Sequence, residues 1–378
     1  MPVEMYDEAF SLHFPTMEPW VLAVCFALFG ACIGSFLNVV IYRVPRGLSV
    51  NDPKRSFCPT CKTPIPWYHN LPVISWLVLR GKSACCHTRI SCRYWLVEVG
   101  TALLFGAVAW NFAIESLPVI VLLCAWSALM LAILCIDWEL MVVLPGMAAT
   151  ATVLGLTVGV LAPWLVDAQL MADSAGDGLM WSAAGAVSGF VLLKGVGIFG
   201  KLLFGKKRKQ FEEPVAWSLH QKGEDLELSL GEETMLWSDI FMEEGNRLTL
   251  EDATLPGLGC KEAGAIVFSI DGVTLPDGTQ APLEKHESLE GTCKGLQTHK
   301  EAMGSGDAWI AMAIGAVCGW QGVLFALVAG SVIGILQAIV CRVGRGTPMP
   351  FGPAFIAGAF IWLFWGTQLL VWYWGMVG

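Results

Sequence analysis

Charge is what this chain has least of. Asp, Glu, Lys and Arg make up only 15% of its 378 residues, against 55% hydrophobic ones. With a mean hydropathy of +0.60, that balance excludes an ordinary soluble globule. No Lys or Arg precedes Arg43, so the acidic opening MPVEMYDEAFSLHF lacks the basic start of a cleavable signal peptide, and the first apolar run is expected to be retained. The net charge of −9 leaves no broad basic surface for phosphates, which argues against nucleic acid as the main partner. Internal repeats, low-complexity tracts and a glycine-rich nucleotide fingerprint are missing as well.

What is there is apolar length. A helix needs roughly 20 apolar residues to cross a bilayer, and runs of that order fall at 19–42, 95–114, 117–137, 142–163, 178–204, 303–319, 322–341 and 354–376. The expected fold is therefore an all-α polytopic membrane protein of about eight transmembrane helices. Nine Lys and Arg lie between Arg43 and Arg93, Lys206, Lys207, Arg208 and Lys209 follow the fifth span, and Arg342 and Arg345 precede the last. The opposite loops carry none, so the basic loops are expected on the cytoplasmic side and both termini outside. The 206–209 cluster fits a topology signal beside anionic lipid.

Soluble pieces interrupt the spans. After an N-terminal stretch 1–18 and the first span 19–42 comes a Pro- and Cys-rich loop, 43–94, then spans 2–5 within 95–206. Residues 207–300 change composition: stretches such as Arg247-Leu-Thr-Leu and Ala265-Ile-Val-Phe-Ser-Ile alternate, and Asp271-Gly272 and Asp277-Gly278 are turn signals, which predicts an inserted β-rich domain. Spans 6–8 occupy 301–378.

Charge within a span is costly and tends to mark function. The acids in or at the edges of the spans are Glu98, Asp137, Glu139 and Asp307. Asp137 ends one apolar run and Asp307 begins another on the same expected side. Two carboxylates at one depth can share a proton, one serving as base toward water while the other, protonated, polarises a carbonyl. Gly304 and Gly306 precede the second acid and allow close backbone approach, and Gly304, Ala308, Ala311 and Gly315 form a small-residue stripe for a neighbouring helix.

Thirteen Cys are present, and five of them, Cys58, Cys61, Cys85, Cys86 and Cys92, crowd into the 43–94 loop. In a reducing compartment this points to metal rather than disulfides. Cys58-Pro-Thr-Cys61 is a knuckle of the kind that holds zinc, and four thiolates would fold a loop too small for a core of its own. Cys58, Cys61 and Cys86 are the first three expected ligands. Cys92 is preferred as the fourth, since adjacent Cys85 and Cys86 seldom both reach one ion; Cys85 and His87 stay open as alternatives.

Five ordered motifs, GACIGSFLNVVIYRVPRG, CPTC, Asp137 with Leu144-Pro145, GSGD at Gly304 to Asp307, and PFGP, resemble the bacterial type IV prepilin peptidases, a family of GxGD membrane aspartyl proteases. The resemblance covers nearly all the chain outside 207–300. It implies that Asp137 and Asp307 are the catalytic pair, with Glu139 a rival for the first acid. It implies cleavage of basic leaders from prepilin and pseudopilin precursors on the cytoplasmic face. It also implies N-methylation of the new N-terminus with S-adenosylmethionine, for which Asn38 and Glu98 match family positions and Ser83 stands where the family has a Cys. By the same resemblance, Lys201-Leu-Leu-Phe-Gly-Lys206 normally runs almost directly into the glutamate before GxGD, here Glu301, so the insert is an addition that either binds substrate or a pilus or secretion assembly component or is passive. Two other function classes remain: a transporter whose intramembrane acids carry ions, and a catalytically lapsed scaffold.

Overall fold

The computed structural model describes residues 18–377 apart from 53–57, 59, 114–115, 167–173, 205, 223–224, 232, 242–245, 259, 271, 283–287, 300–303 and 343–348. Glu301 and Arg345 lie outside the described residues. The helices are α1 (Pro19–Arg43), α2 (Ile74–Val78), α3 (Cys92–Asn111), α4 (Leu117–Leu140), α5 (Pro145–Leu161), α6 (Pro163–Val166), α7 (Ala175–Phe204), α8 (Trp237–Ile240), α9 (Ser305–Val340) and α10 (Gly352–Val377). Five of them, α1, α3, α4, α7 and α9, are long and apolar enough to cross a membrane, while α5 and the Gly352–Gly366 part of α10 are apolar but shorter. The expected spans 303–319 and 322–341 meet inside α9, whose regular path is broken at Gly319 (φ 66°, ψ −179°). A positive φ with extended ψ is open to glycine and strained for other residues.

The chain divides into two compact units, residues 1–192 with 306–378, and 193–305. In the first unit α4 is the central helix: 61% of its most apolar window is buried, against 22–28% for the other four long helices. It starts at Pro118 in the first turn and stops at Met141, which takes a left-handed conformation and donates its N–H to the Asp137 carbonyl at 2.9 Å, an αL cap that satisfies an otherwise open carbonyl. Glycines let the other helices close in. A methyl group on Gly34 of α1 would stand 2.7 Å from Glu98 Cα of α3, and one on Gly155 of α5 would stand 2.7 Å from Ala316 Cβ of α9. Contacts this short exist where small residues bring helix backbones together in a membrane.

The second unit is built on an antiparallel eight-stranded sheet of order β3-β2-β1-β8-β4-β5-β6-β7. Its strands are β1 (Lys206–Lys222), β2 (Asp225–Leu230), β3 (Glu233–Leu236), β4 (Arg247–Leu255), β5 (Cys260–Ser269), β6 (Gly272–Thr274), β7 (Gln280–Pro282) and β8 (Ser288–His299). In β4, Leu248 and Leu250 point inward, the register shifts at Asp252 (φ 49°), and Ala253 and Leu255 then point inward again. One extra residue at a bulge restores the period-2 pattern to the buried face. Trp217, Phe268 and Trp237 stack edge to face at 5.6 and 5.8 Å in the core of this unit.

Candidate functional site

The acid at the end of α4 is held from a direction the motif spacing does not reveal. Asp137 is 6% exposed, and the Gly352 N–H at the start of α10 donates to its carboxylate. A methyl group on Gly352 would overlap Asp137 Oδ2 and come within 3.0 Å of Ile310 Cδ1. Ile310 lies three residues past Asp307 on α9, one turn away on the same face. Asp307 is itself half-buried in the first turn of that helix, and a methyl group on the preceding Gly306 would stand 2.6 Å from Val143 Cβ in the α4–α5 loop. The end of α4, the start of α9 and the start of α10 therefore converge on one spot, with Gly306 and Gly352 as the two positions at which a side chain would not fit. Gly304 immediately precedes α9.

The small-residue stripe packs as its composition suggests. Ala308 and Ala311 are buried, Gly185 of α7 meets the Gly315 backbone, and Gly189 meets the Ala311 carbonyl. Trp309 lies against Phe190 edge to face at 5.5 Å. Trp126 of α4 donates its indole N–H to the Ala313 carbonyl at 3.2 Å, joining the two acid-bearing helices.

Other charged positions have structural partners. Glu139, the rival acid, pairs with Arg93 and is partly exposed. Glu98 instead accepts from the Val73 N–H at 2.7 Å and from Ser35. Asn38 is 4% exposed and bonds across helices, its amide donating to the Tyr94 carbonyl at 3.0 Å.

The Cys-bearing loop contains two turns of the same build. Cys58 N–H donates to the Thr63 carbonyl at 2.9 Å and Lys62 N–H returns to Cys58 O at 2.8 Å; Ser83 N–H donates to Thr88 O at 2.8 Å and His87 N–H to Ser83 O at 2.9 Å. Lys62 and His87 both adopt positive φ, 59° and 55°. Ser83 is thus the structural counterpart of Cys58, and Cys86 of Cys61. The sulfurs of Cys58, Cys61, Cys85 and Cys86 all lie within 4.8 Å of one another, with Cys58–Cys86 at 3.5 Å and Cys61–Cys85 at 3.2 Å. Zn–S bonds of about 2.3 Å imply a tetrahedral edge of about 3.8 Å, so this donor set fits a four-thiolate zinc site.

This grouping corrects the preference for Cys92. Cys92 opens α3, is exposed, and is not a member of the four-sulfur group. Cys85 comes in from the middle of the second turn and compensates for the Ser83 hydroxyl, which lies 2.9 Å from its sulfur. Two of the thiols, Cys58 and Cys61, are already polarised for ligation. The Cys61 backbone N–H and the Ser83 hydroxyl hold the Cys58 thiol down to about 5, and the Thr63 hydroxyl and N–H lower Cys61. At Cys85 the Ser83 hydroxyl bond pulls down, but hydrogen bonding with Cys61 and burial hold the thiol up at about 11. A cation bound among these sulfurs would displace the shared protons.

Comparison with known proteins places two segments in described families. Residues 28–112 match the Bacterial Peptidase A24 N-terminal domain and residues 240–339 match the Type IV leader peptidase family. The first match contains the Cys-bearing loop and the second contains Asp307, while Asp137 lies between them. The chain is 35% identical over 218 residues to the prepilin leader peptidase/N-methyltransferase of Pseudomonas putida, covering 51% of this chain and 70% of the relative. It is 28% identical to that of Neisseria gonorrhoeae (89% of this chain, 87% of the relative) and 26% identical to that of Stutzerimonas stutzeri (95% and 96%). No solved structure matches the chain.

Proposed function

The chain belongs to the prepilin leader peptidase/N-methyltransferase family, and from that membership we propose that Asp137 and Asp307 are the catalytic pair of its peptidase. It is a multi-pass membrane enzyme that removes the leader peptide of prepilins. The observation that carries the assignment is the contact chain at one end of the helical unit: buried Asp137 held by the Gly352 N–H, and Gly352 against Ile310, one turn from Asp307. One acid of the pair, ionised, takes a proton from water as the oxygen attacks the scissile carbonyl; the other, protonated, donates a hydrogen bond to the developing oxyanion. The tetrahedral intermediate then collapses, with the C–N bond breaking as a proton passes to the leaving amine. No covalent enzyme intermediate forms.

The distribution of Lys and Arg supports a bacterial inner-membrane location with this site at the cytoplasmic face, where pilin-like precursors present their basic leaders. Zinc is the ion that Cys58, Cys61, Cys85 and Cys86 suit, and it would cross-link the two turns of a loop that has little core of its own. The relatives' names also include N-methyltransferase, for which S-adenosylmethionine would be the methyl donor. Among the described residues there is no glycine-rich turn of the kind that cradles a nucleotide, so no residue is assigned to that cofactor and no step is derived through it.

The test is leader removal from a co-expressed pilin-like precursor by the full chain and by Asp137→Asn and Asp307→Asn. Both variants are expected to lose cleavage by about a thousandfold or more while assembling normally in the membrane. Cleavage within tenfold of the unmodified chain in either variant would remove that residue from the pair.

A further inference from the structure

The Cys-bearing loop exposes an apolar strap that neither the peptidase nor the metal cluster uses. Between Trp67 and Val78, Trp67 is 78% exposed, Val78 73% and Ile74 59%, and Tyr68, Leu71 and Leu77 are also exposed. The strap is firmly attached to α3. Trp76 packs on Trp95 at 5.8 Å and donates to the Ile90 carbonyl. Val73 has φ 64° and ψ −48°, and the Ile74 N–H closes back on the Pro72 carbonyl at 2.6 Å. This is a γ-turn that is rare and strained, most of all for a β-branched residue, and the Val73 N–H is anchored on the Glu98 carboxylate.

That anchor fixes a depth. α3 has 20 residues, a length of about 30 Å that matches the hydrocarbon thickness. Glu98 is its seventh residue, about 9 Å along the axis from the first, so the start of α2 sits at the level of the second turn of a spanning helix. On α3, Tyr94 and Leu96, the neighbours of Trp95, are exposed apolar or aromatic side chains near the same helix end. The loop from Arg43 to Tyr94 carries nine Lys and Arg and a single acid, Asp52, which complements an anionic headgroup layer.

We propose that Trp67–Val78 lies in the headgroup–acyl boundary of an anionic bilayer, anchoring the Cys-bearing loop flat against the membrane. Ile74, Leu77 and Val78 enter the acyl side, Trp67 and Tyr68 lie at headgroup level, and the exposed basic residues Arg46, Arg80, Lys82 and Arg89 face lipid phosphates, the pattern of an interfacial anchor. The inference does not depend on the peptidase assignment.

The experiment uses the full chain with a benzophenone amino acid at Leu77 or at Val78, reconstituted in nanodiscs of phosphatidylcholine with or without phosphatidylglycerol, irradiated, and examined by mass spectrometry. A probe at Leu103, exposed on α3, serves as the lipid-facing control and one at His87 as the aqueous control. Lipid adducts at 77 and 78 comparable to those at 103, absent at 87 and several-fold more abundant with phosphatidylglycerol, are expected. Adducts at 103 but at neither 77 nor 78 would overturn the proposal. So would replacement of the lipid adducts by precursor adducts when a pilin-like precursor is added, which would make the strap a substrate dock. Equal yields in the two lipid mixtures would overturn its electrostatic part.

Discussion

Gly352 touches the Asp137 carboxylate and lies against Ile310, one turn from Asp307, and its lack of a side chain is a packing requirement. A methyl group there overlaps the Asp137 carboxylate, so Gly352→Ala must displace either the acid or the start of α10 and lengthen the hydrogen bond that fixes the acid. Misplacing a reacting group by about an ångström costs roughly a hundredfold, and Gly352→Ala is expected to reduce leader cleavage by about 10- to 100-fold with membrane assembly unchanged. Quantitative cleavage of a pilin-like precursor in isolated membranes checks this, and wild-type activity would remove Gly352 from the site. The PFGP stretch marks this glycine in the sequence, but its hydrogen bond to Asp137 spans 215 positions and has no periodic signature. The fourth sulfur was illegible for a related reason. Adjacency argues against Cys85 in an extended chain, whereas the turn from Ser83 to His87 folds both sulfurs inward once Ser83 takes the place of Cys58's counterpart. Cys85→Ser is accordingly expected to lose most of its bound zinc, while Cys92→Ser keeps about one zinc per chain; elemental analysis of the purified proteins decides, and the reverse pattern would restore Cys92 as the ligand.

At the scale of elements, the helices were legible because apolar length is read directly from composition, and their crossings were partly legible through small residues. The stripe ending at Gly315 pointed to a close neighbour but not to which helix; only the fold supplies α7, whose Gly185 stands back to back with Gly315. Because the neighbouring atoms there are backbone, a new side chain has nothing flexible to displace. Gly315→Leu is expected to destabilise the helical unit by about 1–3 kcal/mol or more, lowering the thermal midpoint in detergent. Gly146→Ala, on a helical surface with open space around it, is expected to be neutral or stabilising by up to about 1 kcal/mol. Equal midpoints for the two variants would show that the α7–α9 crossing is looser than drawn. Alternation exposed β4 and β5 in the sequence, because Leu248, Leu250, Ile266 and Phe268 keep period 2. The order of the eight strands was not readable, since β1 pairs with β8 across the whole insertion and nothing local encodes that partner.

For the whole molecule that long-range pairing has a consequence. Lys206 at the start of β1 is the register partner of His299 at the end of β8, and adjacent strands run about 4.7–4.9 Å apart. The chain therefore enters and leaves the sheet at neighbouring points, the arrangement that makes an inserted domain separable. Its core also closes on itself: Trp217, Leu228, Leu250, Ile266, Phe268 and Cys293 are buried among residues of the same unit. Residues 206–299 expressed alone are expected to fold cooperatively, with near-ultraviolet circular dichroism from the Trp217, Phe268 and Trp237 cluster, and Trp217→Ala should destabilise the fragment by roughly 3–5 kcal/mol. The reciprocal chain, in which a short Gly-Ser linker replaces 206–299, is expected to assemble in the membrane and to cleave precursor within about tenfold of the full chain, because both proposed acids, Gly306 and Gly352 lie in the helical unit. Cleavage rates in membranes and monodispersity in detergent measure the two halves of that expectation separately. Intact assembly with cleavage lost would show that the sheet takes part in substrate capture, and failed assembly would show that the helical unit depends on the sheet to fold.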